Sequence, residues 1–303
     1  MATRKAPAKG NKRSLKKKQH TPDYYPVQRM IGLGRDGGTL NGALAGDTGK
    51  LLSIENRRLY RQGMLYQIKI DLDVDVTVGV DTEVEVYALS PNWDVQRAYA
   101  LAKDVYDRAH ADELSQTAVS KARWSDFRVE NGLTTNELDP VRYDNALAFQ
   151  VKNNGEHEYS SVDKAGTDTT FSWGGAAANR LDILDEWIRS GRVSTDPSNI
   201  SVTVPYDGVN SDDLSNSEME NLQQDGNNPP YSVDSDNDPY IKVATLYYKP
   251  GATGMQRLST GFFDAPCGIF VTNANNSLQN GSLKLTVKAG DYKGVHAQRM
   301  CQG

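Results

Sequence analysis

A chain of 303 residues with 38% hydrophobic and 24% charged side chains has enough apolar surface for a packed core and too much for a wholly disordered protein. No run approaches the roughly 18 consecutive apolar residues that span a bilayer, and the basic N-terminus is not followed by the apolar stretch of a secretory signal. The expectation is therefore an intracellular, soluble protein without membrane insertion.

Cysteine use says little more. Cys267 and Cys301 are the two cysteines, with no CxxC pair, so neither a disulfide framework nor a zinc ribbon is expected and both read as free thiols. The Asn-x-Ser sequons at Asn199, Asn275 and Asn280 have a glycosylation meaning only in a secreted protein and read as chance matches.

The formal net charge of -5 conceals a division. Residues 1–20 hold Arg4, Lys5, Lys9, Lys12, Arg13, Lys16, Lys17 and Lys18 and no acid, so residues 21–303 carry the other 26 bases against all 39 acids, a net of -13. A like-charged block of that density repels itself and stays a disordered basic arm until a polyanion neutralises it. These eight residues are the expected nucleic-acid-binding site. An acidic body repels the same polyanion, so sequence-independent binding is expected through the arm. Lys12-Arg13 followed by Lys16-Lys17-Lys18 also fits a nuclear import signal, and the two roles are compatible.

After the arm, residues 21–49 contain Pro22, Pro26 and seven glycines and read as an extended, Gly/Pro-rich lead-in to a shell domain over 50–303. Fully stretched, the first 25 residues could span on the order of 80 Å. From Tyr66 the even positions Ile68, Ile70, Leu72, Val74, Val76, Val78 and Val80 are apolar, with the parity resuming at Val84 and Val86. Alternation of this length predicts one long or two successive antiparallel strands with one face in the core, broken near Gly79 and Asp81.

Past Ser90-Pro91-Asn92, the stripe Val95, Ala98, Tyr99, Ala102, Val105, Tyr106 and Ala109 predicts a helix that continues toward Ala122. Further strands are expected at 124–130, 143–151, 169–173, 200–206, 240–248, 262–272 and 282–287. A short helix carries Leu181, Leu184, Trp187 and Ile188 on one face. Residues 207–238, with Asp212, Asp213, Asp234, Asp236 and Asp238, read as a long acidic surface loop, placed on the outer face of a shell because inner carboxylates would repel a genome. The fold class is mainly β: an antiparallel jelly-roll β-sandwich with helical insertions.

Motifs for chemistry are weak. Gly32-Leu33-Gly34-Arg35-Asp36-Gly37 satisfies GxGxxG but follows no convincing buried strand, and Gly46-Asp47-Thr48-Gly49-Lys50 has Leu44 and Leu51 where a phosphate loop needs Gly and Ser/Thr. Asp71, Asp73 and Asp75 have calcium-loop spacing, yet alternation makes them the wet face of a strand. Asp234, Asp236 and Asp238 repeat that spacing in the acidic loop, with Pro239 and Thr245 at the positions that matter. His20, His110, His157 and His296 are scattered, and no nucleophile elbow is present. No catalytic site, metal or cofactor is expected.

With its arm from Arg4 to Lys18 and its alternating series from Tyr66 to Val86, the chain resembles the single jelly-roll capsid proteins of small circular single-stranded DNA viruses. The helical segment from Trp93 to Ala122 departs from their most compact members. The resemblance implies self-assembly into an icosahedral shell, packaging of a genome, single-stranded DNA in that family, by the arm, and contact with host import machinery. The expected location is the virion, and the host nucleus or cytoplasm during assembly. A cellular or phage β-sandwich binding module with a basic tail is the alternative.

Overall fold

The computed structural model describes residues 26–34, 40–75, 82–116, 124–133, 136–143, 148–150, 158–164, 167–174, 179–190, 239–248, 255–278 and 281–300. In chain order these form β1 (Met30–Gly34), β2 (Leu40–Asp47), α1 (Thr48–Asn56), β3 (Met64–Asp75), β4 (Thr82–Leu89), α2 (Trp93–Gln116), β5 (Asn136–Glu137), β6 (Asp139–Tyr143) and β7 (Ala148–Gln150). They continue with β8 (Ser161–Lys164), β9 (Thr167–Ser172), β10 (Arg180–Asp182), α3 (Ile183–Ser190), β11 (Tyr240–Tyr248), β12 (Met255–Ser259), β13 (Phe263–Ala265), β14 (Ile269–Leu278), β15 (Gly281–Val287) and β16 (Ala297–Arg299). The protein is mainly β, with curled antiparallel sheet forming a half-barrel.

One sheet runs β12-β3-β15-β1-β6-β7, with β13 and β16 also paired to β3, and the second runs β11-β4-β14-β2-β5. Alternation decides which face of each strand is dry. Tyr66, Ile68, Ile70 and Leu72 of β3 are fully buried, while Asp71 pairs with Lys69 at 2.9 Å and Asp73 with Arg257 at 3.4 Å on the wet face. Inward residues of both sheets, among them Leu33, Leu44, Ile70, Val86, Leu246, Phe270 and Leu285, share one apolar cluster. Each such aliphatic or aromatic side chain contributes about 1.5–3 kcal/mol by leaving water.

Within that cluster the Tyr248 hydroxyl is buried with no hydrogen-bond partner among the described residues. An unmatched buried hydroxyl costs stability, so Tyr248→Phe should leave the denaturant midpoint unchanged or raise stability by up to about 1 kcal/mol. A loss larger than that would mean the hydroxyl has a partner.

Within the expected lead-in 21–49, the described residues 30–34 and 40–49 are part of the fold itself. Leu33 of β1 pairs with Leu283 of β15, β2 lies beside β14, and Ile31, Leu33 and Leu44 are core residues. Their partners on β14 and β15 lie more than 200 residues away in sequence, and those on β5 and β6 lie roughly 90–110 residues away, so nothing local marks these strands. Gly32 and Gly34 sit on β1 between β15 and β6, which gives the GxGxxG match a place in a ladder.

Asp47 ends β2 and caps α1, its carboxylate accepting the Lys50 N–H at 3.0 Å, and Arg57 closes the helix in the left-handed region at φ 51°. The segment that hints at a phosphate loop is thus a strand end and a helix cap. α1 is no insertion, since Leu51 and Leu52 are fully buried in the core.

The strand expected over 262–272 is broken at Pro266-Cys267-Gly268, where Cys267 has φ 56° and Gly268 φ 68°. A Cβ on Gly268 would lie 2.9 Å from Thr48 Cβ and 3.0 Å from Tyr66 Cδ2, so a glycine is required there. Cys267 is buried with its sulfur 3.5 Å from Met300 Sδ, and Cys301 lies outside the described residues. The expected strand over 143–151 is displaced onto β6 and β7. The stretch 124–130 forms no strand and contributes the isolated bridge of Glu130 with Ser172 and the Arg128 carbonyl that accepts the Ser160 N–H at 2.8 Å.

Between β4 and β11 the chain adds α2, β5 to β10 and α3. Their apolar side chains build a second cluster with Val95, Tyr99, Phe127, Phe171, Trp173 and Leu184, to which Cys267, Ile269 and Met300 of the body belong. Trp93 of α2 meets Trp187 of α3 edge-on at 5.6 Å. The expected strand over 200–206, the acidic loop over 207–238, His157, Asn199 and Asn280 lie outside the described residues.

Candidate functional site

Arg4, Lys5, Lys9, Lys12, Arg13, Lys16, Lys17 and Lys18 also lie outside the described residues, which begin at Pro26. What the structure places is the root from which that segment departs. The Gln28 N–H donates to Asn56 Oδ1 at 2.8 Å, and Asn56 Nδ2 donates back to the Gln28 carbonyl at 3.0 Å, tying the root to the end of α1. Val27 packs on Gly294, where an added Cβ would lie 2.7 Å from Val27 Cγ2.

Two loops meet at this root, 57–63 after α1 and 288–296 after β15. The Tyr60 hydroxyl donates to the Lys293 carbonyl at 3.0 Å, the Arg61 N–H donates to the Tyr292 hydroxyl oxygen at 3.2 Å, and Lys293 Nζ donates to the Leu59 carbonyl. Lys293 Nζ also lies 5.7 Å from the Tyr60 ring centroid and 5.3 Å from that of Tyr292. Arg299 follows on β16, whose pairing with β3 sets it opposite Met64.

Arg57, Arg58, Arg61 and Arg299 are exposed. Burial, then the guanidiniums of Arg58 and Arg61, push the Lys293 ammonium below the usual lysine range. Burial raises the Tyr292 phenol above its ordinary value.

Beside this root lies a buried polar network. Arg128 is 2% exposed and its guanidinium pairs with Asp47, itself 9% exposed. Gln62 Nε2 donates to Asp47 Oδ2 at 3.0 Å and to the Val129 carbonyl at 3.0 Å, while its Oε1 accepts the Val129 N–H at 2.6 Å. The Gln62 N–H reaches Asp126 Oδ2 at 2.9 Å, and burial raises that carboxyl above the usual range. Lys50 pairs with Glu137, which accepts from the Tyr159 hydroxyl.

The Arg128–Asp47 and Lys50–Glu137 pairs and the Gln62 hydrogen bonds to Asp126 and Val129 join the body to the segment inserted after β4, while Gln62–Asp47 and Tyr159–Glu137 brace the two sides. An open cleft of about 430 Å³ adjoins the network, lined by His110, Trp124, Asp126, Arg128 and Tyr159 among others. His110 stacks on Tyr106 at 5.6 Å, so its ring is held by packing. Residue spacing did not single out this network, because its members come from five separate stretches of chain; the Asp47 cap was its one local signal.

Among the described residues no group of three or more His, Cys, Asp or Glu side chains could hold a metal ion, and no helix is long and apolar enough to cross a membrane. Comparison with protein families, curated proteins and solved structures finds no match to this chain.

Proposed function

We propose that the chain is the shell-forming capsid protein of a small virus, with a jelly-roll body and an arm that packages nucleic acid. The observation that carries this reading is the order of the eight strands β1, β2, β3, β4, β11, β12, β14 and β15. Counted in chain order, one sheet contains first-eighth-third-sixth as neighbours and the other second-seventh-fourth-fifth. Such an order supports the jelly-roll reading, since a jelly roll is two interlocked Greek keys and is an arrangement that viral shells use.

A fold alone names no function. The charge division supplies the second support, an acidic body of net -13 behind eight clustered cations. Exposed Met30, Trp93, Ile241, Tyr247 and Phe262 offer apolar surface for contacts between copies.

Purified full-length protein with single-stranded DNA should form closed particles of uniform size in negative-stain micrographs, because identical subunits assemble by repeating one set of contacts. A protein that stays strictly monomeric over a range of salt and pH, with and without nucleic acid, would overturn the proposal and favour a binding module with a basic tail.

A further inference from the structure

We infer that the folded body carries its own phosphate-binding surface, formed by Arg57, Arg58, Arg61, Lys293 and Arg299 around the Tyr292 ring, which continues the arm's track for single-stranded nucleic acid. The inference rests on the packaging role proposed above and adds a second contact to it. The acidic body conceals this surface because its net charge averages over the whole fold. Residues 57–61 and 288–299 together hold six Lys and Arg side chains against one carboxylate, Asp291.

The fold brings these two stretches together through the Tyr60, Arg61 and Lys293 hydrogen bonds already described. Other carboxylates near the surface are held by their own partners. Asp107 pairs with Lys103 and Asp104 with Arg108 on α2, and Asp126 accepts the Gln62 N–H.

Arg61 and Arg299 line one open cleft of about 460 Å³ together with Lys103 and the three carboxylates just named, Asp104, Asp107 and Asp126, so a phosphate would meet it from the arginine side. Burial first, and then Arg58 and Arg61, hold the Lys293 ammonium below the usual lysine range, and a bound anion would offset the repulsion from those two arginines. Tyr292, half-buried beside Lys293 and edge-on to Tyr60 and Tyr66, gives the surface an aromatic rim, and single-strand binders combine cations with aromatic side chains. Gln28 binds Asn56 at the edge of the same loops, which sets the root of the arm beside this surface.

The test uses three full-length proteins and a labelled oligothymidylate, titrated by fluorescence anisotropy at several salt concentrations. The first has all eight arm cations changed to Gln, the second adds Arg58→Gln, Arg61→Gln and Arg299→Gln, and the third replaces those three arginines by Lys instead. The arm-neutral protein should retain weaker, salt-dependent binding. The three Gln changes should lower the salt slope by about 2 and the affinity by up to roughly thirtyfold at about 0.2 M salt, and the Lys version should restore most of both.

Circular dichroism checks that each protein is folded; should the triple Gln variant unfold, Arg58→Gln and Arg299→Gln alone should each lower the slope by about 0.7. Absence of binding by the arm-neutral protein, or an unchanged slope on losing the three arginines, overturns the inference. Undiminished binding by the arm-neutral protein would instead sink the arm reading and leave this surface as the binding site.

Discussion

Replacing Arg128 by Met should destabilise the folded protein by about 3–5 kcal/mol, the cost of leaving a buried charge without its partner. Asp47 carries that charge, and it cannot relax into water, since it also caps α1 through the Lys50 N–H and accepts from Gln62. Its three donors come from α1, the loop before β3 and the segment inserted after β4. Loss of the guanidinium therefore weakens the joint between body and insert as well as one ion pair.

Asp47→Asn keeps the side-chain oxygen that caps the helix, so the double variant with Arg128→Met should cost less than the sum of the two single changes. Urea unfolding of the four proteins, followed by tryptophan fluorescence, measures the coupling. An Arg128→Met protein within about 1 kcal/mol of wild type would mean that the network is not what holds the insert.

The elements that were legible in the sequence are those whose pattern is local. Tyr66 to Leu72 alternates because β3 has one dry and one wet face, and Val95, Ala98, Tyr99 and Ala102 repeat at helical spacing because α2 lies on Phe127 and Phe171. Gly281–Val287 was visible for the first reason, with Leu283, Leu285 and Val287 buried, and Tyr240–Tyr248 as a run of apolar and aromatic residues.

β1 and β2 were not. Ile31 and Leu33 are two apolar positions among glycines, and their burial follows from Leu283 and Leu285 across the ladder, which no local window contains. The break at Cys267 is a matter of φ, and only Pro266 and Gly268 hint at it.

The candidate site divides in the same way. Eight cations in twenty residues are a compositional fact that needs no structure. Arg61 and Lys293 lie more than 200 positions apart, and they become one surface only when β3, β15 and β16 have paired. A body net of -13 read as uniformly repulsive missed them, because charge acts within a Debye length of about 8–10 Å rather than over a whole subunit.

Neutralising Arg4, Lys5, Lys9, Lys12, Arg13, Lys16, Lys17 and Lys18 to Gln should remove most packaged nucleic acid while leaving the body folded. The body is expected to survive because, among the described residues, the first one packed on the core is Val27, beyond every changed position. Each phosphate neutralised on a single strand releases about 0.7 of a counterion, so eight engaged cations contribute a salt slope of at most about -5 to -6. Raising salt from about 0.05 to 0.2 M would then weaken wild-type binding by roughly three orders of magnitude, and the slope left in the variant should be the smaller one that the body surface supplies. Flexible Lys and Arg contacts to phosphate carry little base information, so wild-type affinity should be nearly the same for unrelated sequences of equal length. Two measurements decide the matter: the ratio of nucleic-acid to protein absorbance in purified particles, and anisotropy titrations of the same proteins over salt. Particles of the variant with an unchanged absorbance ratio, or a variant with the wild-type slope, would mean that the arm does not hold the genome and that the packaging charge lies on the folded surface alone.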